Sequence, residues 1–294
     1  MDVVARRARA LALAGMIAAA LGAAPAAEAA TFKLTCARSH SLEDDPIVSP
    51  GKPGAAHLHE FLGNTSTNAF STHASLRAAP GRCRVYGDTE ADRSAYWIPA
   101  LEQRNQLLLG FTQIKPSSSV LYYVTNHRPA TDVRAFPAGL KLIAGDAHAA
   151  VPQPTSIVKW HCYYGTPVGG GTRPHCDDND DTDGRTPGLR LELNFPSCWD
   201  GVRLDSPDHK SHLAYAEDRY TRCPATHPVP VPRIQMFVFY LSPGGPDADV
   251  SPLPGAVRLT SGGQLTMHGD FFEAWDPAKL DGFVRNCLHA GLNC

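Results

Sequence analysis

The 294-residue chain carries 27 basic and 29 acidic side chains, a formal net charge of −2. So even a balance leaves no electrostatic footprint for nucleic acid or for an anionic membrane surface as a partner. Eight cysteines with no C-x-x-C pair favour disulfides over thiolate chemistry or a zinc–thiolate cluster.

Residues 1–30 read as a secretory signal. Arg6, Arg7 and Arg9 form a basic start, Leu11 to Leu21 an apolar stretch, and the alanines through Ala30 offer small residues for cleavage. The apolar run is too short and interrupted for a membrane span, and no later segment approaches one. Residues 31–294 contain no linker, internal repeat or low-complexity block, so one domain is expected, secreted, outside the membrane and monomeric. Strand signals dominate it. Ser94–Leu101, Ser119–Thr125, Leu140–Ala144, Ile157–Tyr163, Gly188–Phe195, Arg233–Tyr240 and Ala256–Thr260 are rich in β-branched and aromatic residues and bounded by turn formers. Gly188–Phe195 alternates Leu189, Leu191, Leu193 and Phe195 with Arg190, Glu192 and Asn194, the period of a half-buried strand. Turns rather than helices separate these segments, so the expected fold is mainly β: a single antiparallel β-sandwich-like domain with long disulfide-stapled loops and a C-terminal helix. That helix should begin at an Asp276 N-cap with Pro277 in its first turn. It should end near Gly291 and bury Leu280, Phe283, Val284, Cys287 and Leu288 on one face. Neighbouring cysteines are expected to pair, 36 with 83, 162 with 176, 198 with 223 and 287 with 294, although composition leaves other connectivities open.

With cysteine assigned to staples, histidine and aspartate are left to carry chemistry. His57-Leu58-His59 places two imidazoles on one face if it is extended. Asp208-His209-Lys210-Ser211-His212 holds histidines three apart, which face together on a helical turn. Asp205 and Asp208 can orient an imidazole by accepting from its second ring nitrogen, although Asp205 with Ser206 and Pro207, and Asp200 with Gly201, also suit plain turns. His268-Gly269-Asp270 adds a third pair, with a glycine that permits close approach or an unusual φ. All three motifs are expected on loops. Each is weak alone and can be read as histidines hydrogen-bonded to a polar loop or core. Together they suit a divalent transition metal or an acid/base set.

The acidic run Cys176–Gly184 looks like a calcium loop, but Arg190 stands where the closing bidentate Glu belongs, so it reads as a solvated loop. Tyr122, Tyr123, Trp160, Tyr163, Tyr164, Trp199 and Trp275 are candidates for a glycan platform or for the core. No G-x-S-x-G, H-E-x-x-H, phosphate loop or dinucleotide fingerprint occurs.

Asp45-Pro46-Ile47-Val48, Pro50-Gly51, His57-Leu58-His59, Gly63-Asn64, Phe195-Pro196-Ser197-Cys198-Trp199-Asp200-Gly201, Ser206-Pro207-Asp208-His209-Lys210-Ser211-His212 and His268-Gly269-Asp270-Phe271 stand in this order. The set resembles a secreted family of actinobacteria and filamentous fungi known as domain of unknown function 1996. The resemblance implies that His57, His59, His209, His212, His268 and Asp270 form one family pattern. Glycan-binding modules beside the domain in fungal members imply a polysaccharide context.

The expected function is metal-assisted or histidine acid/base cleavage of an extracellular or cell-wall polysaccharide, as a hydrolase or lyase. The alternative is a non-catalytic metal- or glycan-binding protein. In the metal version His57, His59 and one of His209, His212 or His268 are ligands. His268 and Asp270 complete the metal candidates. His57, His59, His209, His212 and Asp208 are the catalytic candidates, with Asp208 and Asp270 available as bases.

Overall fold

The computed structural model describes residues 29–105, 110–125, 127, 129–162, 167–168, 188–218, 221–241 and 257–294. Residues 1–28 of the expected signal segment 1–30, the acidic run 176–184, Tyr163 and Tyr164 lie outside the described residues.

Two antiparallel sheets form the sandwich. The larger has seven strands in the order Pro167–Val168, Val158–Cys162, Gly188–Asn194, Arg233–Leu241, Ser118–Thr125, Ala30–Cys36 and Cys83–Arg84. The second has five, in the order Arg38–Leu42, His59–Gly63, Ala95–Pro99, His268–Phe272 and Lys141–Gly145. Between them lies the main core. The alternation in Gly188–Asn194 sends Leu189, Leu191 and Leu193 inward beside Ile234, Met236, Val238, Leu121 and Phe32. Leu62, Tyr96, Ile98, Leu142 and Phe271 of the smaller sheet join them. The seven-stranded sheet thus follows the period-2 rule, one face to the core.

The three inner strands of the five-stranded sheet are buried on both faces. All residues of His59–Gly63, Ala95–Pro99 and His268–Phe272 are shielded from solvent. The outer face of the sheet packs Phe61, Trp97 and Phe272 with Ile47 and Leu76 in a second, smaller cluster. A strand covered on both sides shows no polar alternation. For that reason His59 and His268 are on central strands rather than on loops, contrary to the sequence expectation. Ser94–Leu101 also divides. Ala95–Pro99 belongs to the five-stranded sheet, while Leu101–Asn105 pairs with Gly110–Ile114 and Val257–Leu259 in a separate small sheet.

The C-terminal helix matches its signals. The Asp276 carboxylate accepts from the amides of Ala278 and Lys279, and Pro277–Phe283 is α-helical. Val284–His289 continues it as a wider π-type turn, and Gly291 ends it with φ +70°. Leu280, Val284, Cys287 and Leu288 are buried, and Phe283 packs at the core edge. Disulfides Cys36–Cys83, Cys198–Cys223 and Cys287–Cys294 join sequence neighbours as expected. Cys176 lies outside the described residues. No helix among the described residues is long and apolar enough to cross a membrane. Tyr123, Trp160 and Trp275 are fully buried, while Tyr122 and Trp199 are half-buried.

Candidate metal centre

Strand register builds the site. His268 pairs with Gly145 and Asp270 with Ile143 on one side, and Asp270 pairs with Trp97 on the other. His59 pairs with Pro99 across the neighbouring strand edge. Residues two apart on a strand, and directly opposed residues on neighbours, share a face. His59, His268 and Asp270 therefore all stand on the outer face of the five-stranded sheet. Gly269, between them, faces the core. A Cβ there would lie 2.7 Å from Leu193 Cδ1 and 3.1 Å from Met236 Cε. The glycine is needed for close packing of the two sheets, and its φ is not positive.

His57 enters from the segment leading into the strand, its ring centroid 4.1 Å from that of His59 and 5.0 Å from that of His268. The nitrogens of His57, His59 and His268 lie within 4.8 Å of one another, as do donor atoms of Asp45, His59 and Asp270. His59 is common to both sets. Donors held about 2.0–2.2 Å from a zinc-like ion sit within roughly 4.4 Å of each other, so each set of three is close to the span of one such ion.

Hydrogen bonds choose the free ring nitrogen. His59 Nδ1 donates to the Asp44 carbonyl at 2.9 Å, and His268 Nδ1 donates to the Thr266 carbonyl at 2.9 Å. A carbonyl can only accept, so each Nε2 carries the lone pair, the outer-partner arrangement common to metal-bound histidines. Asp44 itself is tied down by the amides of Gly54 and Ala69, and Asp45 Oδ1 accepts from those of Ile47 and Val48.

The centre of the cluster is unsatisfied. Nε2 of His57, Nε2 of His59 and both carboxylate oxygens of Asp270 are buried with no hydrogen-bond partner. Burial, then the neighbouring imidazoles, push His59 and His268 down to about 3, and burial lowers His57. Burial, reinforced by the Asp45 charge, holds Asp270 well above the usual carboxylate range. At neutral pH the three imidazoles are therefore neutral bases, the form that binds a metal.

A cavity of about 420 Å³ opens onto the cluster, lined by His57, His268, Asp270, His209 and Lys210 among others. Of the motif around His209, the structure brings part to this cavity. Residues 205–212 form no helical turn, because Pro207 and Asp208 occupy a turn closed by His209 N to the Ser206 carbonyl at 2.8 Å. His209 leaves that turn with φ +57°. His212 faces elsewhere and is fully buried: Nε2 donates to the Lys141 carbonyl at 2.7 Å and Nδ1 meets the Ser206 hydroxyl at 2.9 Å. With both nitrogens engaged, one to Lys141 and one to Ser206, it is held away from the cluster. Asp208 lines the cavity but is occupied by Ser206 Oγ and the amides of Lys210 and Ser211, which hold its carboxyl below the usual range. Asp205, not Asp208, is the carboxylate on an imidazole, 2.9 Å from His209 Nδ1.

Sequence reasoning missed Asp45 as a donor. Its signal was an acid before proline at the head of the segment that ends in His57-Leu58-His59, and nothing local tied it to His268 and Asp270.

Fold and site together define an antiparallel β-sandwich protein with a buried histidine–aspartate cluster at the floor of an open cavity. The chain belongs to the family described as domain of unknown function (DUF1996), whose model matches residues 45–275, from Asp45 to Trp275 and across every residue of the cluster. No curated protein and no solved structure matches the chain.

Proposed function

We propose that this protein is a secreted, metal-dependent hydrolase of extracellular or cell-wall polysaccharide. His57, His59, His268, Asp45 and Asp270 hold one divalent transition metal. The observation that carries this reading is the set of buried, partnerless donor atoms on His57, His59 and Asp270. A buried polar group without a partner costs about 1–3 kcal/mol, more if charged, and folded proteins rarely leave several at one point. A cation satisfies them all. Nitrogen and oxygen donors without thiolate suit zinc and its neighbours. Bound there, such a metal supplies an activated water and a Lewis acid. Asp44 and Thr266 keep the histidine nitrogens aimed, and the sandwich behind the cluster excludes water.

A chain-like substrate is supported by a second cavity of about 390 Å³ that adjoins the first through Ile143, Asp146, His148 and Lys210 and continues past Tyr215. Secretion is supported by the signal-like first residues and by the disulfides.

The test is elemental analysis of the purified protein and of His57→Ala, followed by assay of reducing ends released from a wall polysaccharide preparation before and after chelation. One equivalent of metal, lost in His57→Ala, with release abolished by chelator, is the expected result. A protein that takes up no divalent metal overturns the metal centre. Metal without any release leaves a metal-binding protein and overturns the hydrolase.

A further inference from the structure

The geometry points to His209 as the proton donor of this cavity, not a ligand of its metal, with Asp205 and Lys141 as the residues that position it; the assignment rests on the hydrolytic reading above. His209 Nδ1 lies 2.9 Å from Asp205 Oδ1, and Asp205 Oδ2 lies 2.9 Å from Lys141 Nζ. Hydrogen bonds from Lys141 and His209 outweigh burial and hold the Asp205 carboxyl below its ordinary value. An ionised carboxylate can only accept, so Nδ1 carries a proton and points at Asp205. Nε2 is the nitrogen left uncommitted, on a side chain that lines the cavity with His57, His268 and Asp270.

Three features separate His209 from the cluster. It is absent from both groups of mutually close donor atoms. Its Nδ1 is held by a carboxylate, whereas the buried cluster histidines are held by carbonyls. Its backbone sits at φ +57°, a region a non-glycine residue occupies at a cost and keeps only where its surroundings hold it. The Ser206–His209 turn and the Lys141–Asp205 ion pair are those surroundings.

In hydrolysis, the protonated Nε2 gives its proton to the oxygen whose bond to carbon breaks. The entering water forms the new carbon–oxygen bond and gives up one proton, which recharges His209. One bond and one water become two hydroxyl groups. A general acid so placed contributes about 10²- to 10⁴-fold.

The test uses the full, metal-loaded protein and reducing-end release from the wall polysaccharide preparation. His209→Ala is expected to keep its metal, lose about 10²- to 10⁴-fold in kcat, and recover part of the loss when free imidazole is added. Asp205→Asn is expected to keep its metal and KM and to lose kcat, with no recovery by imidazole. Loss of metal from His209→Ala makes His209 a ligand and overturns the assignment. An unchanged rate, or a loss that imidazole does not relieve, also overturns it. His59→Ala separates the two readings. If it keeps the full rate while His209→Ala does not, the metal centre fails and His209 stands. Absence of release by the wild-type protein overturns both.

Discussion

Two clusters of buried polar side chains lie on the two sides of the five-stranded sheet, and they differ in whether their partners are present. On the core side, Asp92 accepts from the Tyr96 hydroxyl at 2.7 Å and the Ser94 amide at 2.8 Å. The Tyr96 and Tyr123 hydroxyls are 2.6 Å apart, and Trp275 Nε1 donates to Tyr123 at 2.9 Å. On the outer face, His57, His59 and Asp270 bury donor atoms that meet nothing. Burial alone does not distinguish structure from function here. A closed hydrogen-bond chain stabilises the fold by itself, whereas an open one is complete only with something the chain does not supply.

Crossed substitutions break the comparison if it is wrong. His59→Ala is expected to weaken metal binding beyond the roughly 10- to 100-fold that losing an outer partner costs. In the metal-free protein it should cost less stability than Asp92→Ala, because the partnerless Nε2 leaves with the ring and the Asp44 carbonyl is the group that loses a donor. Asp92→Ala is expected to do the reverse: about 1–3 kcal/mol of stability lost by denaturant titration, because the Tyr96 hydroxyl and Ser94 amide are left unpaired, with metal affinity kept. Titration calorimetry beside urea unfolding reads both. Equal stability losses in the two variants would make the outer cluster a structural network.

Gly269→Ala sharpens the boundary between the two sides. The new methyl meets Leu193 and Met236, so a loss of about 1–3 kcal/mol is expected from overpacking, and metal binding should fall only as far as His268 and Asp270 are displaced. A variant of unchanged stability would mean that the sheets can separate locally at no cost.

The pH dependence of stability tests the outer cluster in a third way. His59 and His268 are held at about 3 in the folded protein, below the 6.5 of the free side chain. Between those values the unfolded chain binds more protons. The metal-free protein should therefore be most stable above pH 6.5 and lose stability as the pH falls toward 3, by up to about tenfold in the unfolding constant per pH unit for each imidazole. His59→Gln should flatten that slope. Glu273 acts in the opposite sense: burial raises it from 4.5 to about 7, so its contribution favours the folded state below pH 4.5 and weakens as pH rises to 7. An acid slope unchanged in His59→Gln would show that this imidazole is not held neutral.

Much of the architecture was legible along the chain because it is written in local rules. Period-2 alternation placed Gly188–Asn194, capping chemistry placed Asp276 and Pro277, and short sequence separation paired Cys198 with Cys223 and Cys287 with Cys294. The site was legible only in its ingredients. Spacing of i and i+2 does put His268 and Asp270 on one face, and the same rule was offered for His57 and His59, where only His59 is on the strand. The i and i+3 rule misled at His209 and His212, because a proline turn with one left-handed residue sends the two rings to different surroundings.

By itself, then, the sequence determined the fold class and the C-terminal helix, and it singled out histidine and aspartate as the candidates for any chemistry. Tertiary structure decided which of them meet. His59, His268 and Asp270 are brought together by strand order and register across the sheet, Asp45 reaches them from a loop, and no periodicity within one segment encodes which face of a doubly covered strand a distant loop will close over.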